Sequence, residues 1–402
     1  MRGIDFPPAE WYNQEKRSGD VMCNELFRKI DELEDEYLSV LEDVCNIESP
    51  TLYKEGVDAV GEYFMNVARR FGWDIEVHKE EKCGNAICIS FNTGSTLPAV
   101  ALSGHMDTVY PLGLFPTPAV RREGVRMYGP GTRDCKGGIV AALYAMHALY
   151  ECNFTRRPVK LILQSDEEMS SAPSQRRTID FMCKCGEGSV AFLNLEPSNG
   201  NSAVIARKGI LRYRITVNGI AAHSSLCYDG ASAVCEAAHK IIKLERMKDN
   251  AGLTCNCGVI SGGTVANTVA DKCTFTADIR FANREEMEKA KQIVKDVVSE
   301  TTVPGCTANF ELISDRPSMP YEERNKALLD RINEILGECK LPTLLGRSGN
   351  GGSDAAYTTA YGIPSIDSIG TCGGPIHSPN EYADMPSLKR SALYIAAIVA
   401  NI

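Results

Sequence analysis

The chain has 402 residues, of which 44% are hydrophobic and 24% are charged, so it has the composition of a globular protein with about two to three domains. With 52 acidic and 43 basic residues its net charge is -9, and this lack of surplus positive charge argues against nucleic acid as a partner. No apolar run approaches the roughly 18 residues of a membrane span. Charges and prolines in the first eight residues argue against a signal peptide. We therefore expect a cytoplasmic protein with no membrane partner.

The sixteen cysteines are spread along a long chain without a secretory signal, which favours reduced thiols over a disulfide scaffold. Two Cys-x-Cys pairs, Cys183/Cys185 and Cys255/Cys257, lack the Cys-x-x-Cys spacing of structural zinc sites. We expect these cysteines to be small buried hydrophobic residues.

Residues 25–70 have apolar side chains mostly three or four positions apart, which predicts scaffold helices with a break at Pro50. Further along, residues 97–102, 159–163 and 190–195 form short apolar runs, and residues 137–150 have helical periodicity. Alternating strands and helices predict an α/β fold with a mixed, mostly parallel sheet flanked by helices. Such sheets place ligands outside the carboxyl ends of their strands.

The pattern changes near residue 208. Strands are predicted at 210–217, 257–260, 273–281 and 308–313, and helices at 231–244 and 284–299. This β-α-β-β-α-β order is typical of a ferredoxin-like module. The α/β pattern then resumes, with a helix at 354–361 that Ser353 caps and a strand near 365–369. The sequence thus predicts a main domain of residues 1–207 and 320–402, with residues 208–319 inserted in it.

Metal-binding residue types follow the predicted strands. His105 comes after the first strand, Glu167 and Glu168 after the second, and Glu196 after the third, while Asp134 and His377 lie in glycine-rich segments. Two imidazoles with several carboxylates suit a pair of zinc ions. Because only five side chains serve two ions, one carboxylate has to bridge them and a position stays open for water.

Two further acidic residues suit supporting tasks. Glu167 and Glu168 point in different directions if the chain is extended, so that one can bind metal while Glu167 faces the substrate as general base. Asp107, two residues after His105, is suited to accept the imidazole N–H that faces away from a metal.

The order of these motifs resembles that of the co-catalytic zinc exopeptidases and deacylases, which include carboxypeptidase G, acetylornithine deacetylase and succinyl-diaminopimelate desuccinylase. The chain is most similar to the carboxypeptidase G branch. From about residue 97 to the C-terminus the shared motifs are HxDT, GxxDxKGG, an adjacent glutamate pair, EPS, AHS, GGxxxN, ADIR, GGSDA and IHSPNE.

The resemblance implies a zinc-exopeptidase fold and a role for each ligand. Asp134 would bridge two Zn²⁺, His105 and Glu196 would hold one of them, and Glu168 and His377 the other. Co²⁺ and Mn²⁺ are alternative metals. Glu167 would exchange protons with the attacking water and the leaving nitrogen.

The resemblance also assigns residues of the inserted module, which it implies is a lid and dimerisation domain. His223 would reach a neighbouring active site across a homodimer to stabilise the oxyanion, Asn267 would be a second donor, and Arg280 would pair with the substrate carboxylate. The alternative for His223 is an ordinary surface histidine, and the alternative for Arg280 is a surface ion-pair partner. Cys135 stands where relatives often have Met or Asp, which leaves open whether the Asp134–Cys135 peptide is cis as in the family.

These observations predict a metal-dependent amidohydrolase that releases a C-terminal amino acid, with glutamate as a candidate, from N-acyl or peptidyl substrates. The alternatives with the same chemistry are an N-acyl amino acid deacylase, of acetylornithine deacetylase or desuccinylase type, and a dipeptidase. An alternative of another class is a noncatalytic small-molecule-binding homologue. Glu167 argues against the last, because a binding protein needs no general base.

Overall fold

The computed structural model describes residues 9–249 and 252–402, so the first eight residues, on which the signal-peptide prediction rests, lie outside it. Two compact units can be distinguished. The first comprises the described residues up to Ile205 with Tyr321–Arg347 and Tyr357–Ile402, and the second comprises Ala206–Pro320 and Ser348–Ala356. The assignment of a catalytic and an inserted lid domain stays a prediction. None of the described helices combines the length and apolar character that crossing a membrane requires.

The elements up to residue 207 are α1 (Ala9–Cys45), α2 (Lys54–Arg70), β1 (Asp74–His78), β2 (Ala86–Phe91), β3 (Val100–His105), β4 (Arg121–Glu123), β5 (Arg126–Tyr128), α3 (Lys136–Glu151), β6 (Val159–Gln164), α4 (Arg177–Gly186), β7 (Ala191–Asn194) and β8 (Ser202–Arg207). Next come β9 (Gly209–Asn218), α5 (Ala233–Glu245), β10 (Thr254–Gly262), β11 (Lys272–Phe281), α6 (Arg284–Ser299) and β12 (Thr307–Arg316). The last are α7 (Glu323–Glu338), β13 (Leu345–Gly349), α8 (Ala355–Ala360), β14 (Ser365–Ile366), β15 (Tyr382–Asp384) and α9 (Met385–Asn401).

The main sheet of the first unit has the strand order β1-β2-β6-β3-β7-β14. Strands β6, β3, β7 and β14 are parallel, whereas β1 and β2 add antiparallel pairs at one side. The predicted mixed, mostly parallel sheet is therefore confirmed.

Both faces of this sheet are buried, because successive side chains of a strand point to opposite faces. In β3, Leu102 joins the core formed with helices α1, α3 and α9, while the neighbouring Ala101 joins a second core with α4. Leu161 and Ile162 of β6 divide in the same way. Two buried faces explain why these strands have continuous apolar sequences without alternation.

The second unit contains a four-stranded antiparallel sheet with the order β10-β11-β9-β12. Its apolar core is formed by one face of the sheet together with α5 and α6. The predicted β-α-β-β-α-β order is present. Strand β10 is longer than predicted and contains an irregularity between Asn256 and Val259 that interrupts its polar–apolar alternation.

The structure contains a disulfide between Cys23 and Cys339, although the sequence favoured reduced thiols over a disulfide scaffold. It joins α1 to α7, and its Cα atoms are 6.0 Å apart, a separation that a disulfide can span. The other fourteen cysteines, all within the described residues, are not disulfide-bonded. Because Cys23 and Cys339 lie far apart in the sequence, no spacing motif predicts the pairing.

Candidate metal centre

The parallel strands of the first unit end side by side. His105 is the last residue of β3 and pairs with Gln164 at the end of β6, while Ser103 pairs with Asn194 at the end of β7. The residues that follow β6 and β7, including Glu167 and Glu196, therefore start from the same edge of the sheet as His105. This confirms that these three segments meet at the carboxyl ends of parallel strands.

A smaller sheet, with the order β15-β5-β4, brings the two remaining segments together. Strand β5 leads into the loop that carries Asp134, and β15 follows the loop that carries His377. The strands are antiparallel, with Tyr128 opposite Tyr382. Pairing of these short strands thus places Asp134 and His377 in neighbouring loops.

Two glycines of the GxxDxKGG motif permit close packing around the Asp134 loop. A side-chain carbon at Gly137 would lie 2.1 Å from the carbonyl oxygen of Thr132, and one at Gly138 would lie 2.1 Å from that of Leu195. The missing side chain of Gly137 therefore lets α3 start close to its own preceding loop, and that of Gly138 lets it start against the residue that follows β7. Leu195 immediately precedes Glu196, so this contact also positions a candidate ligand.

Asp134 lies between the two histidines. Its Oδ1 is 3.1 Å from Nε2 of His105, and its Oδ2 is 3.4 Å from Nε2 of His377. His377 Nε2 is also 3.3 Å from Oε2 of Glu168, and His105 Nε2 is 3.9 Å from Oε1 of Glu196. Ligands of a tetrahedral zinc are about 3.3 Å apart, which the first three of these separations match and the His105–Glu196 separation exceeds. Donor atoms of His105, Asp134 and Glu168 also lie within 4.8 Å of one another, as do those of His105, Glu167 and Glu196.

Without a metal ion, the charges of the site favour an ionised Asp134 and protonated histidines. Burial disfavours the Asp134 carboxylate, but hydrogen bonds from His105 and His377 outweigh burial and lower the pKa of Asp134. Hydrogen bonds to Asp134 and Glu168 raise the pKa of His377 to about 10. Burial disfavours the His105 imidazolium, but Cys135, Asp107 and Asp134 outweigh burial and raise the pKa of His105 well above its ordinary value.

The two remaining carboxylates lack sufficient positive charge around them. Burial raises the pKa of Glu168 to about 7, despite its hydrogen bond with His377. Burial, and after it the charge of Asp134, raises the pKa of Glu196 well above its ordinary value. Crowded buried carboxylates of this kind are stabilised by bound cations, so the donor set fits divalent metal ions in charge as well as in spacing.

Asp107 organises the glutamate pair. Its Oδ1 accepts the backbone N–H of Glu167 at 3.2 Å, and its Oδ2 accepts that of Glu168 at 3.1 Å and the hydroxyl of Thr51 at 2.7 Å. Glu167–Met169 forms a 3-10 turn, which corrects the assumption of an extended chain. The two side chains nevertheless diverge: Glu168 contacts His377, and Glu167 has a carboxylate oxygen within 4.8 Å of donor atoms of His105 and Glu196.

The far side of the His105 ring has two acceptors from one residue. Nδ1 is 3.0 Å from the backbone oxygen of Asp107 and 3.4 Å from its carboxylate Oδ1. The backbone carbonyl is thus the closer acceptor, whereas the sequence predicted the carboxylate. Either contact leaves Nε2 of His105 directed toward Asp134.

Cys135 is buried and contacts the backbone of His105. Its Sγ accepts the backbone N–H of His105 at 3.1 Å, and burial raises the pKa of the Cys135 thiol to about 12. A protonated thiol is a poor metal ligand. The Asp134–Cys135 peptide bond, whose conformation the sequence left open, is cis.

Glu381, the last residue of the IHSPNE motif, contributes to the site although the sequence predicted no role for it. Its Oε1 accepts the backbone N–H groups of Arg133 and Asp134, each at 2.9 Å. Its Oε2 accepts the hydroxyl of Tyr110 at 2.6 Å. The signal that could have identified Glu381 as a site residue was its position four residues after His377 in the IHSPNE motif.

The second unit contains His223, Asn267 and Arg280. The backbone N–H of Ser224 donates to Asn267 O at 2.9 Å, so His223 and Asn267 lie on adjoining segments, and both side chains are exposed. Arg280 Nε donates to Oδ1 of Asp278 at 2.6 Å. The ion-pair alternative for Arg280 is therefore present in the structure.

A second cluster of potential ligands, Glu245, Cys255 and Cys257, also lies in the second unit. Both carboxylate oxygens of Glu245 are already engaged: Oε2 contacts the ammonium group of Lys248, and Oε1 accepts the backbone N–H of Cys257 at 2.7 Å. Cys255 is buried as predicted, whereas Cys257 is half-buried. This cluster lacks the histidines and the shared carboxylate of the first.

The chain resembles characterised proteins along most of its length. It is 28% identical over 384 residues to carboxypeptidase G2 of Pseudomonas sp. strain RS-16, covering 93% of this chain and 91% of that protein. It is 25% identical over 361 residues to a succinyl-diaminopimelate desuccinylase of Nitrosospira multiformis, covering 85% of this chain and 92% of the relative.

Solved structures have the same fold. A Staphylococcus aureus tripeptidase superimposes with a TM-score of 0.77 at 22% identity, over 91% of this chain and 98% of that one. A Bacillus subtilis protein, described as a dinuclear metal binding peptidase from the M20 family, superimposes with a TM-score of 0.66 at 14% identity, over 92% and 98%. The model of peptidase family M20/M25/M40 matches residues 101–401. The chain therefore belongs to this family and is a metal-dependent hydrolase.

Proposed function

We propose that the protein is a dinuclear zinc exopeptidase of the carboxypeptidase type, which hydrolyses an amide bond and releases a C-terminal amino acid from an N-acyl or peptidyl group. The observation that carries the proposal is the position of Asp134, with one carboxylate oxygen facing His105 and the other facing His377. A carboxylate shared in this way suits two adjacent metal ions better than one.

Each ion would have its own donors. His105 and Glu196 would hold one, Glu168 and His377 the other, and Asp134 both. When bound, such ions polarise the scissile carbonyl and lower the pKa of the attacking water. The imidazole and carboxylate donors suit zinc, and Co²⁺ and Mn²⁺ are alternatives.

Glu167 would move the protons. Its carboxylate lies beside the His105 and Glu196 donors, while its backbone N–H is held by Asp107. From this position Glu167 would accept a proton from the attacking water and deliver it to the leaving nitrogen. Proton transfer of this kind converts a poor leaving group, an amide anion, into a neutral amine.

Among substrates, we favour amides of an amino acid with a free carboxylate, and glutamate is the first amino acid to test. The likeness to carboxypeptidase G2 over 93% of the chain supports this choice. Arg280 would pair with the substrate carboxylate, for which a guanidinium is well suited. The likeness to a desuccinylase supports an N-acyl amino acid deacylase as the second candidate. A dipeptidase is the third candidate.

We further propose that the protein acts as a homodimer formed through the second unit, in which His223, assisted by Asn267, stabilises the oxyanion in the active site of the other subunit. The edge strand β10 supports an interface there, because Val259 and Ile260 on it are 65% and 52% exposed.

The test is a substrate panel in which both halves of the amide are varied. The acyl half would be acetyl, succinyl, benzoyl or aminoacyl, and the amine half glutamate, aspartate, alanine or ornithine. Zinc-loaded protein would be compared with chelated protein, and each good substrate with its α-carboxylate methyl ester. The expected result is cleavage of both benzoyl and aminoacyl glutamate in preference to the other amides, lost in the ester and after chelation.

Other outcomes discriminate among the alternatives. Selective cleavage of acetyl or succinyl amides would identify a deacylase, and selective cleavage of free dipeptides would identify a dipeptidase. A protein that binds these amides without cleaving any of them would be a noncatalytic homologue.

A further inference from the structure

Tyr110 and Glu381 form a buried hydrogen-bonded pair beside the candidate metal centre. The Tyr110 hydroxyl donates to Glu381 Oε2 at 2.6 Å, and both side chains are almost completely removed from solvent. Tyr110 lies in the segment that follows β3, whereas Glu381 directly precedes β15. The pair therefore joins two segments that the main sheet alone does not connect.

Glu381 holds the loop of Asp134 by the backbone. Its Oε1 accepts the N–H groups of Arg133 and Asp134 at 2.9 Å, and its Oε2 also accepts that of Gly131 at 3.3 Å. Three amides bound by one carboxylate fix the path of the chain immediately before and at Asp134. Such bonds to a charged acceptor are stronger than those between neutral groups.

Tyr110 holds the loop of His377 at the same time. Its hydroxyl oxygen accepts the backbone N–H of Ser378 at 3.1 Å. The Tyr110 hydroxyl has one proton to donate, and the carbonyl oxygen of Ser378 is also within reach at 3.0 Å. The Glu381 carboxylate is closer and charged, so the hydroxyl donates to Glu381. The Ser378 carbonyl already accepts the N–H of Glu381 at 2.9 Å.

We propose that Tyr110 and Glu381 are positioning residues that form a bridge between the Asp134 backbone and the residue after His377, and thereby set the separation at which both ligands reach the same metal ion. The inference rests on the proposed two-metal function. In this proposal, Tyr110 and Glu381 hold the backbone at or next to the two ligands Asp134 and His377, in addition to the contacts that the ligand side chains make themselves.

The contribution of the bridge follows from the geometry that metals require. A donor displaced by a few tenths of an ångström leaves the narrow distance range of a metal bond, and loss of groups that orient ligands typically weakens metal binding about 10- to 100-fold. Asp134 and His377 come from different loops, so their separation depends on what connects those loops. Tyr110 and Glu381 supply side-chain connections beyond the short β5–β15 pairing.

Tyr110→Phe is the decisive variant, because it removes only the hydroxyl and keeps the ring that packs edge-on against Phe115 at 5.0 Å. Tyr63→Phe is the matched control, since the Tyr63 hydroxyl donates to a carboxylate oxygen of Asp43 at 2.8 Å between α1 and α2. Both metal-free variants would be titrated with Zn²⁺ in competition with a chromogenic chelator, and their thermal unfolding would be recorded.

We expect Tyr110→Phe to weaken at least one of the two zinc affinities about tenfold or more, and Tyr63→Phe to leave both within about twofold of wild type. Unchanged zinc affinities in Tyr110→Phe would overturn the proposal, even if the variant unfolds at a lower temperature, because that result describes a merely structural hydroxyl. A wild-type protein that binds two ions but cleaves no amide would overturn the proposed function alone, since the affinity comparison still decides the role of the bridge.

Hydrogen exchange of the metal-free proteins gives a second readout. In Tyr110→Phe the Ser378 amide loses its acceptor, and we expect it to exchange about tenfold faster than in wild type. Glu381→Gln keeps the size of the side chain but leaves only one acceptor oxygen for the donors that now bind two. We therefore expect faster exchange of the amides around Asp134 together with weaker zinc binding. Unchanged exchange of these amides in both variants would overturn the proposal that Tyr110 and Glu381 form a bridge.

Discussion

Asp134 and His377, which come from loops far apart in the sequence, meet with Oδ2 and Nε2 3.4 Å apart, while the other oxygen of Asp134 faces His105. One carboxylate therefore belongs to both donor sets. A change that moves Asp134 affects both sets, whereas a change at Glu196 or Glu168 acts first on one of them. In the proposed two-metal function, the site would therefore act as a single unit for both ions.

Metal binding should release protons, and its affinity should rise with pH. Hydrogen bonds to Asp134 and Glu168 raise the pKa of His377 to about 10, and burial raises that of Glu168 to about 7, so at pH 7 the metal-free site holds protons that a metal ion has to displace. Metal ions need both groups deprotonated, so protons compete with the metal and affinity falls as the pH is lowered.

Calorimetric titration with Zn²⁺ in two buffers of different ionisation enthalpy measures this release. We expect at least one proton per chain to be displaced at pH 7, and tighter binding at pH 8 than at pH 6. A binding heat independent of the buffer, with an affinity independent of pH, would contradict the charges assigned to the site.

Glu167→Gln should separate metal binding from proton transfer. The amide has the size of the carboxylate but cannot accept a proton, so both ions should bind while kcat falls about 100-fold or more. Glu338→Gln, at the end of α7, is the control for the chemical change itself. Metal content and turnover would be measured on the same samples, and retained activity in Glu167→Gln would remove Glu167 from the mechanism.

The strand ends of the site could be predicted from the sequence because local features determine them. The apolar runs that precede His105, Glu167 and Glu196 are buried strands, and parallel neighbours end at a common edge. In the ferredoxin-like unit, alternating residues likewise revealed β9 and β11.

Other parts could not be predicted, because their causes are not local. Strands β5 and β15 have only three residues each, too few for a periodic pattern, yet their pairing places Asp134 next to His377. Helix α9 is buried on most sides and therefore lacks a clear amphipathic pattern. The 3-10 turn at Glu167 depends on the Asp107 carboxylate, and the role of Glu381 depends on backbone groups that no residue pattern identifies.

Asp107→Asn should disturb the glutamate pair without removing a ligand. The amide nitrogen cannot accept a hydrogen bond, so Glu167, Glu168 and Thr51 compete for one oxygen. We expect zinc affinity or kcat to fall about 10- to 100-fold. In the control Asp58→Asn, another carboxylate that accepts a backbone N–H is changed, at 2.7 Å from Asn85 N. Equal effects of the two variants would argue against a special role for Asp107.

Gly138→Ala should disrupt the packing of α3 against β7. The added carbon would lie 2.1 Å from the Leu195 oxygen, and overpacking of a buried contact costs about 1–3 kcal/mol of unfolding free energy. Because Glu196 follows Leu195, zinc binding should weaken as well. Gly337→Ala, in helix α7, is the control, because a side-chain carbon added there would meet no atom within 4 Å, and we expect it not to destabilise the protein. Urea unfolding of both variants measures the difference, and equal stabilities would contradict the packing argument.

Mixing of two inactive variants would test whether His223 acts in the other subunit. His223→Ala keeps Glu167, and Glu167→Gln keeps His223, so a mixed dimer has one site with both residues. Random assortment places half of the chains in mixed dimers, and half of their sites are complete, which predicts about a quarter of wild-type activity after co-refolding. His223 N-caps the 3-10 segment Ser224–Asp229 by accepting the N–H of Ser225, so each variant would first be checked for folding.

We expect hydrolytic activity to recover only in the mixture of the two variants. Failure of well-folded, dimeric mixtures to regain activity would show that His223 does not complete a neighbouring site, and so would a wild-type protein that sediments as a fully active monomer.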